Sequence, residues 1–208
     1  MYFEQLKRGA AAMELRLSDT TIERLVAYLE LLIKWNKAYN LTAIREPEKM
    51  VSLHLLDSLA SLPYITGQRV IDVGTGPGLP GMVLALCLPD KEFTLLDSNG
   101  KKTRFLMQVK MALDVANVTV ANERVEQHPL QGYYDHVTSR AFASLEDMIR
   151  WCRPLPAEKG TFLAMKGVYP DAELAALPDD ILVQQVDALQ VPTIDAERHM
   201  VILARKDK

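Results

Sequence analysis

From Gln68 onward, short apolar segments alternate with helical stretches, and this alternation restricts the possible fold more than any other feature of the sequence. Short segments rich in branched side chains predict strands, and helical patterns separate the first five of them. Strands that are joined through helices lie parallel in one sheet, which helices cover on both faces. The predicted strands cover residues 69–74, 92–97, 118–122, 134–141, 160–167, 181–191 and 199–206.

The last two predicted strands have no helix between them. Only a short turn region separates residues 181–191 from residues 199–206, so these strands are expected to pair as an antiparallel hairpin. A dinucleotide-binding Rossmann domain would continue with parallel units instead. The predicted fold class is therefore α/β, a Rossmann-like class I methyltransferase with a seven-stranded, mostly parallel sheet and a terminal antiparallel hairpin.

The first predicted strand leads into the glycine-rich stretch "IDVGTGPGLPG", which fits two kinds of ligand. Gly76, Gly78 and Gly81 form the G-x-G-x-x-G pattern of a dinucleotide-binding turn. The same stretch contains the D-x-G-x-G-x-G pattern of a turn that receives S-adenosylmethionine, beginning at Asp72 and including Gly74. With either ligand, the glycines let the backbone turn sharply from strand to helix and approach the ligand closely. The terminal hairpin favours S-adenosylmethionine.

Two acidic residues at predicted strand ends favour the same cofactor. S-adenosylmethionine carries a cationic sulfonium and no phosphate, so the carboxylate of Asp72 is expected to stabilise it. The alternative is that Asp72 only caps the end of the strand. Asp97 ends the second predicted strand, roughly twenty positions after Gly74, near the offset at which an acid receives ribose hydroxyls.

The residues before the first strand are predicted to be helical. Apolar residues recur at helical spacing behind Ser18, a residue type that caps helices, and the pattern ends near Asn40. A further helix is expected to begin at Pro47 and to continue to position 63. We therefore expect residues 1–66 to form a helical extension packed on a methyltransferase domain, residues 67–208, as one structural unit.

The formal net charge of −3 does not favour a protein that binds nucleic acids nonspecifically. A local basic surface is compatible with this charge, so the positions of Lys and Arg matter more than their total. The sequence has neither C-x-x-C nor H-E-x-x-H spacing, and no metal is predicted. Because no apolar run is long enough for a membrane span and the amino terminus lacks the order of a signal peptide, a cytoplasmic location is expected.

Six segments, in their order and spacing, resemble the bacterial 16S ribosomal RNA (guanine-N7) methyltransferase family, historically called glucose-inhibited division protein B. The segments are "KWNKAYNLTAIREPEKM", "HLLDS", "RVIDVGTGPGLPG", "FTLLDSNGKKTRFL", "SRAFASLEDM" and "RHMVIL". The resemblance extends from about Leu17 to Leu203. It implies a one-domain methyltransferase with an amino-terminal helical cap, acting on a guanine in the decoding-region loop of 16S rRNA, within the small ribosomal subunit or an assembly intermediate.

The resemblance also implies where S-adenosylmethionine binds. The residues that match the family's contacts are Gly74, Leu79, Val125, Glu126 and Arg140. Several relatives have Ala in place of Val125, a change of little effect where the backbone N–H contacts adenine. Together with the strand-end acids and the glycines, the predicted cofactor-binding set is Asp72, Gly74, Gly76, Gly78, Leu79, Asp97, Ser98, Val125, Glu126 and Arg140.

The chemistry that the resemblance implies needs no general base. Guanine N7 carries an in-plane lone pair without a proton, so it can attack the methyl group directly, and the enzyme chiefly holds both partners in line. No N/D-P-P-Y motif follows the fourth predicted strand, and neither cysteine lies in a Pro-Cys context. Arg140 is predicted as a positioning residue that contacts the guanine or anchors the cofactor carboxylate, the alternative being a surface ion pair.

Basic residues near the predicted carboxyl edge of the sheet are candidates for contacts with RNA. The predicted substrate-binding residues are Lys101, Lys102, Arg104, Arg124, Lys166 and Arg198. The first three occupy the first turns of a predicted helix, where the helix dipole disfavours cations, and this cost suggests a role with phosphates. Solvated side chains are the alternative. His54 is instead expected to form a structural hydrogen bond with Asp57.

Two other functions stay open at the level of the sequence. A small-molecule methyltransferase would share the fold, because fold does not fix substrate, but would have an apolar capped pocket and no salt-sensitive RNA binding. A noncatalytic ribosome-assembly factor would bind S-adenosylmethionine without transferring its methyl group. We expect the protein to be a monomer.

Overall fold

A seven-stranded sheet forms the centre of the protein, and the computed structural model describes residues 1–206. The strands are β1 (Arg69–Val73), β2 (Glu92–Leu96), β3 (Val118–Ala121), β4 (Tyr134–Ser139), β5 (Pro156–Lys166), β6 (Ile181–Ala188) and β7 (His199–Arg205). Their order in the sheet is β3-β2-β1-β4-β5-β7-β6. β1 to β5 pair in parallel, whereas β7 pairs antiparallel with both β5 and β6. The predicted fold class, including the terminal hairpin, is confirmed.

Helices cover both faces of this sheet. They are α1 (Tyr2–Ala12), α2 (Asp19–Tyr39), α3 (Pro47–Met50), α4 (Asp57–Leu59), α5 (Gly81–Cys87), α6 (Gly100–Ala112), α7 (Leu145–Cys152) and α8 (Asp171–Ala175). A π-helical stretch, Val51–Leu56, joins α3 to α4, and short 3₁₀ turns form at Leu62–Tyr64 and Val125–Gln127. Across residues 1–206, none of these helices is both long and apolar enough to cross a membrane.

Two residues predicted from the sequence, Ser18 and Asn40, cap the two ends of α2. The Ser18 hydroxyl accepts a hydrogen bond from the N–H of Thr21 at 3.1 Å, which satisfies one free donor of the first turn. Asn40 ends the helix in the left-handed conformation with φ 52°, which Asn tolerates better than most residues. The helix lies where the apolar periodicity predicted it.

The predicted helix from Pro47 to position 63 forms, but it is neither regular nor as long. Its centre is the π-helical stretch Val51–Leu56, in which each turn holds one more residue than an α-turn. The helix ends at Leu59. α1 crosses the stretch closely, since a Cβ atom on Gly9 would lie 2.5 Å from Leu56 Cδ1.

The amino-terminal helices and the sheet share one hydrophobic core. That core contains Leu6 of α1, Leu25 of α2 and Leu55 of the π-helical stretch, together with Phe93 of β2 and Phe105 of α6. A second core lies on the opposite face of the sheet and includes the apolar side of α7. The common core supports the interpretation that the helical extension and the sheet domain are one structural unit.

Candidate functional site

A cleft of about 440 Å³ lies at the carboxyl edge of the sheet, outside the ends of β1 to β4. Open α/β sheets bind their ligands at this edge, because the loops that follow neighbouring parallel strands converge there. Five of the predicted cofactor residues line the cleft, namely Gly74, Asp97, Ser98, Val125 and Glu126. A separate cavity of about 330 Å³ lies between the end of α1 and the end of β6, away from the glycine turn.

The glycine turn after β1 needs its glycines for both conformation and space. Gly74, Gly76 and Gly78 have φ values of 70°, 61° and 105°, which lie in the left-handed region that side chains with a Cβ avoid. A Cβ atom on Gly74 would also lie 2.6 Å from the Cβ of Ala141, a residue that lines the cleft. The turn therefore brings bare backbone to the cleft, as the motif predicts.

Asp72 lies beneath the glycine turn and is fully buried. Its Oδ2 accepts hydrogen bonds from the Thr75 hydroxyl at 2.7 Å and from the N–H of Gly81 at 2.8 Å, so the carboxyl group connects both ends of the turn. Its Oδ1 has no hydrogen-bond partner among the described residues. Burial raises the pKa of Asp72 to about 6, although the two hydrogen bonds oppose that shift.

The geometry of Asp72 matches the alternative considered for it, a strand-end acid that stabilises the turn. It does not line the cleft. Its direct contribution to cofactor binding therefore stays a prediction, and the unpartnered Oδ1 is the atom through which such a contribution would act. Leu79, Gly76 and Gly78 also lie in the turn without lining the cleft.

Asp97 joins the glycine turn to the start of α6. Its Oδ2 accepts a hydrogen bond from the N–H of Gly76 at 2.9 Å, and its Oδ1 accepts one from the N–H of Asn99 at 2.8 Å. The ammonium group of Lys102 lies 3.8 Å from Oδ2. Asp97 and Ser98 thus stand side by side in the wall of the cleft, at the end of β2, where an acid is suited to ribose hydroxyls.

The residues that line the cleft but were not predicted from the sequence include Glu123, Phe142 and Trp151. Glu123 Oε1 lies 2.6 Å from His128 Nδ1, and His128 Nε2 lies 2.7 Å from the hydroxyl of Tyr134. The position of Glu123 just after a predicted strand was a signal that could have found it. Trp151 lies near the end of α7, and only the packing of that helix beside Val125–Gln127 brings it to the cleft.

Arg140 points toward the amino-terminal helices rather than into the cleft. Its Nη1 donates a hydrogen bond to Asp57 Oδ2 at 2.8 Å, and Arg198 Nε donates one to Asp57 Oδ1 at 2.8 Å. The alternative of an ion pair is therefore what the structure contains, although the carboxylate is buried rather than on the surface. The predicted roles of Arg140 with the cofactor or the guanine, and of Arg198 with RNA, stay predictions.

The prediction that His54 forms a hydrogen bond with Asp57 is wrong. His54 Nε2 lies 3.0 Å from the Thr42 hydroxyl, and its Nδ1 lies 3.1 Å from the carbonyl oxygen of Leu53. Burial and then the charge of Arg140 lower the pKa of His54 to about 4, so the imidazole is neutral at physiological pH. Asp57 accepts from the arginines instead, because the π-helical stretch changes the face on which it lies.

The remaining predicted RNA contacts lie along the same edge of the sheet in two groups. Lys102 and Arg124 line the cleft on the β2–β3 side, where Lys101 and Arg104 also stand in the first turns of α6. Lys166 lies on the β5–β7 side with Arg198, and its ammonium group is 2.9 Å from Glu173 Oε1. The Arg104 Nε donates to the carbonyl oxygen of Gly100 at 3.0 Å.

The sheet order, the terminal hairpin, the glycine turn after β1 and the acid at the end of β2 define a class I S-adenosylmethionine-dependent methyltransferase. Residues 21–201 match the family described as rRNA small subunit methyltransferase G. The chain belongs to this family.

Curated relatives agree with this assignment. The chain is 67% identical over 205 residues to the ribosomal RNA small subunit methyltransferase G of Marinomonas sp. (strain MWYL1), covering 99% of each chain. It is 53% identical over 199 residues to the protein of that name from Salmonella schwarzengrund, covering 96% of each.

Solved structures with low sequence identity share the fold. TrmN from Thermus thermophilus superimposes with a TM-score of 0.58 at 16% identity, over 74% of this chain and 53% of that one. TYW2 from M. jannaschii, in complex with AdoMet, superimposes with a TM-score of 0.55 at 12% identity, over 73% and 76%.

Proposed function

We propose that this protein transfers the methyl group of S-adenosylmethionine to N7 of a guanine in the decoding-region loop of 16S rRNA. The observation that carries the proposal is the cleft at the carboxyl edge, in which a glycine turn and a strand-end acid meet, in a chain of this family. Relatives named for the ribosomal RNA small subunit, at 67% and 53% identity over nearly the full length, support the substrate class.

The residues of the cleft fit the parts of S-adenosylmethionine. In this proposal Asp97, in the wall of the cleft, accepts hydrogen bonds from the ribose hydroxyls, and the backbone of Val125 and Glu126 contacts the adenine. The amino-acid end would lie along Gly74, where bare backbone reaches the cleft. The unpartnered Oδ1 of the buried Asp72 adds negative potential below a ligand that carries an ammonium and a sulfonium group.

The reaction is a direct displacement. The lone pair of guanine N7 forms the new N–C bond while the C–S bond breaks, which leaves S-adenosylhomocysteine and a cationic 7-methylguanine. No proton leaves N7, so the chain does not need a base and contributes orientation and charge. Two carboxylates of the cleft agree with this, since Asp97 accepts hydrogen bonds from two backbone N–H groups and Glu123 pairs with His128.

Basic residues on both sides of the cleft are proposed to hold the RNA. Lys101, Lys102, Arg104 and Arg124 would contact phosphates on one side, and Arg140, Lys166 and Arg198 would contact RNA on the other. Because the whole chain has a net charge of −3, local groups rather than the overall field must attract the RNA. We further propose that the protein acts in the cytoplasm as a monomer.

The test is methyl transfer from labelled S-adenosylmethionine to small ribosomal subunits from cells that lack this protein, followed by mapping of the labelled base. We expect 7-methylguanine in the decoding-region loop, and at least a tenfold lower rate with Arg140→Ala. Arg69→Ala is the matched control, because Arg69 pairs with Asp135 at the opposite edge of the sheet, at 2.8 Å.

Label on a small molecule, or none on subunits, precursors and free RNA despite cofactor binding, would reject the proposal. The first result would indicate a small-molecule methyltransferase, and the second a noncatalytic assembly factor. An unchanged rate with Arg140→Ala would reject only the role of that residue.

A further inference from the structure

One buried carboxylate, that of Asp57, connects three distant segments of the chain. Asp57 begins α4, Arg140 follows β4, and Arg198 immediately precedes β7. Each arginine donates one hydrogen bond of 2.8 Å to a different oxygen of Asp57, across 83 and 141 positions of the sequence. Asp57 is only 5% exposed, so this arrangement is part of the interior and not a chance contact between surface side chains.

The cluster carries more positive than negative charge. Two guanidinium groups share a single carboxylate, so the three side chains together have a net charge of +1. Arg140 uses its Nη1 for Asp57, while Arg198 uses its Nε for Asp57 and its Nη1 for the carbonyl oxygen of Glu197. Within residues 1–206, the other guanidinium donors have no hydrogen-bond partner, and the arginine side chains are 24% and 23% exposed.

The cluster also stands close to the cleft. Arg140 directly precedes Ala141 and Phe142, which line the cleft where β4 ends. Arg198 lies at the same edge of the sheet, because the next residue, His199, pairs with Lys166 at the end of β5. Partly exposed guanidinium groups with free donors bind phosphate oxygens well, because their planar fork of N–H groups matches that geometry.

We propose that Asp57 is a positioning residue, which holds Arg140 and Arg198 together as a subsite for one RNA phosphate next to the target guanine. This inference rests on the proposed function. The carboxylate holds one N–H of each arginine, and each arginine keeps further N–H donors that have no partner within residues 1–206. Without it, two neighbouring cations would repel each other and separate. The amino-terminal segment thereby supplies a residue of the substrate site.

The test compares Asp57→Asn with Asp135→Asn, measuring methyl transfer to small subunits, the Kd of S-adenosylmethionine and thermal unfolding. Both variants remove the charge of an aspartate that pairs with an arginine, but Asp135 lies at the opposite edge of the sheet. We expect Asp57→Asn to raise the KM for subunits about tenfold, with the Kd of the cofactor changed less than twofold. Asp135→Asn should leave the KM unchanged.

A double-mutant cycle with Arg198→Ala shows whether Asp57 acts through the arginines. Because Asp57 has no other proposed effect on RNA, Arg198→Ala should raise the KM much less in the Asp57→Asn background than in the unmodified protein. Should Asp57→Asn fail to fold, Arg198→Ala alone is informative. It keeps the Asp57–Arg140 bond and should raise the KM without changing the Kd of the cofactor.

Three results would overturn the inference: equal effects of Asp57→Asn and Asp135→Asn on KM, additive effects in the cycle, or a rise of cofactor Kd that matches the rise of KM. These results are distinct from failure of the proposed function. In that case the unmodified protein itself would transfer no methyl group to RNA.

Discussion

The carboxylate of Asp72 is proposed to favour the cationic cofactor, but its burial makes ionisation costly for the fold. Its carboxyl group is fully buried with one oxygen unpartnered, and burial raises its pKa to about 6, above the ordinary value of 3.8. The folded protein therefore binds more protons than the unfolded chain between these two pH values. The stability that Asp72 contributes is present at acid pH and is lost as the pH rises from about 4 to about 6.

Asp72→Asn should therefore stabilise the protein near neutral pH. We expect the free energy of unfolding at pH 7.5 to rise by about 1–3 kcal/mol, because an amide requires no ionisation in the interior. The gain should become smaller as the pH falls toward 4, and the affinity for S-adenosylmethionine should decrease. Urea denaturation at both pH values measures the effect. A gain that is equal at both pH values would contradict the role given to ionisation.

Gly74→Ala should weaken cofactor binding more than it weakens the fold. The new Cβ atom would lie 2.6 Å from the Cβ of Ala141, so the loop after β4 would have to move at the wall of the cleft. We expect the Kd of S-adenosylmethionine to rise more than tenfold in isothermal titration. Gly132→Ala is the matched control, since Gly132 also has a positive φ, 65°, but a Cβ atom there would have no neighbour within 4 Å. The control should cost about 1 kcal/mol of stability with unchanged affinity.

Local motifs made part of the site predictable. The glycines of the turn and Asp97 were found because one stretch of sequence contains the backbone chemistry that a ligand turn requires. Trp151 was not found, since its place in the cleft depends on how α7 packs against the 3₁₀ turn Val125–Gln127. The pairing of Asp57 with Arg198 joins residues 141 positions apart, and no local pattern encodes such a contact.

At the level of elements, α2 stabilises the glycine turn from outside the sheet. The Tyr28 hydroxyl donates a hydrogen bond of 2.8 Å to the carbonyl oxygen of Pro77, which lies within the turn, and both groups are buried. Burial raises the pKa of Tyr28, so the hydroxyl stays protonated and remains a donor. A helix of the amino-terminal segment thus contacts the turn that is proposed to bind the cofactor.

Tyr28→Phe should lower both stability and cofactor affinity. The substitution leaves the Pro77 carbonyl buried without its donor, which costs about 1–3 kcal/mol of unfolding free energy. The less constrained turn should raise the Kd of S-adenosylmethionine severalfold. Tyr133→Phe, which removes an exposed hydrogen bond to Glu92, serves as the control and should change neither quantity appreciably. Loss of stability without any change in affinity would show that α2 does not influence the turn.

Helices and strands in which apolar residues recur at regular spacing were predicted, and irregular elements were not. The long stripe of α2 and most of the strands lie close to their predicted bounds, whereas β5 begins at Pro156 rather than at position 160 and β6 ends at Ala188 rather than at position 191. The helix that begins at Pro47 was predicted as regular, because the pattern of apolar residues does not distinguish a π-helical turn from an α-turn. α8, at five residues, is too short to show a period.

For the whole molecule, the sequence predicted a mostly parallel sheet with a terminal hairpin and a helical extension packed on it, but not the order of the strands or the helix faces that meet. Strand-helix alternation restricts topology, whereas the faces of helices that meet are decided by packing across the sheet. The amino-terminal helices and one face of the sheet bury their apolar residues against each other. The chain should therefore unfold as a single cooperative unit.

A fragment of residues 67–208 should not fold by itself. Removing residues 1–66 would expose Phe105 of α6, against which Tyr28 and Trp35 of α2 pack, together with other apolar residues of the common core. We expect no cooperative transition in thermal or urea unfolding followed by circular dichroism, whereas the full chain gives one. A fragment with its own cooperative transition and native-like affinity for S-adenosylmethionine would show that the extension is a separate unit.

The length of the π-helical stretch Val51–Leu56 determines the orientation of the residue that follows it, Asp57. An α-helix rotates about 100° with each residue, so a chain shortened by one position here would turn Asp57 away from both arginines. All three side chains of the cluster would still be present, but Asp57 would no longer face Arg140 and Arg198. The number of residues in this stretch thus fixes the direction in which Asp57 points. Related chains should therefore tolerate substitutions within the stretch more readily than a deletion.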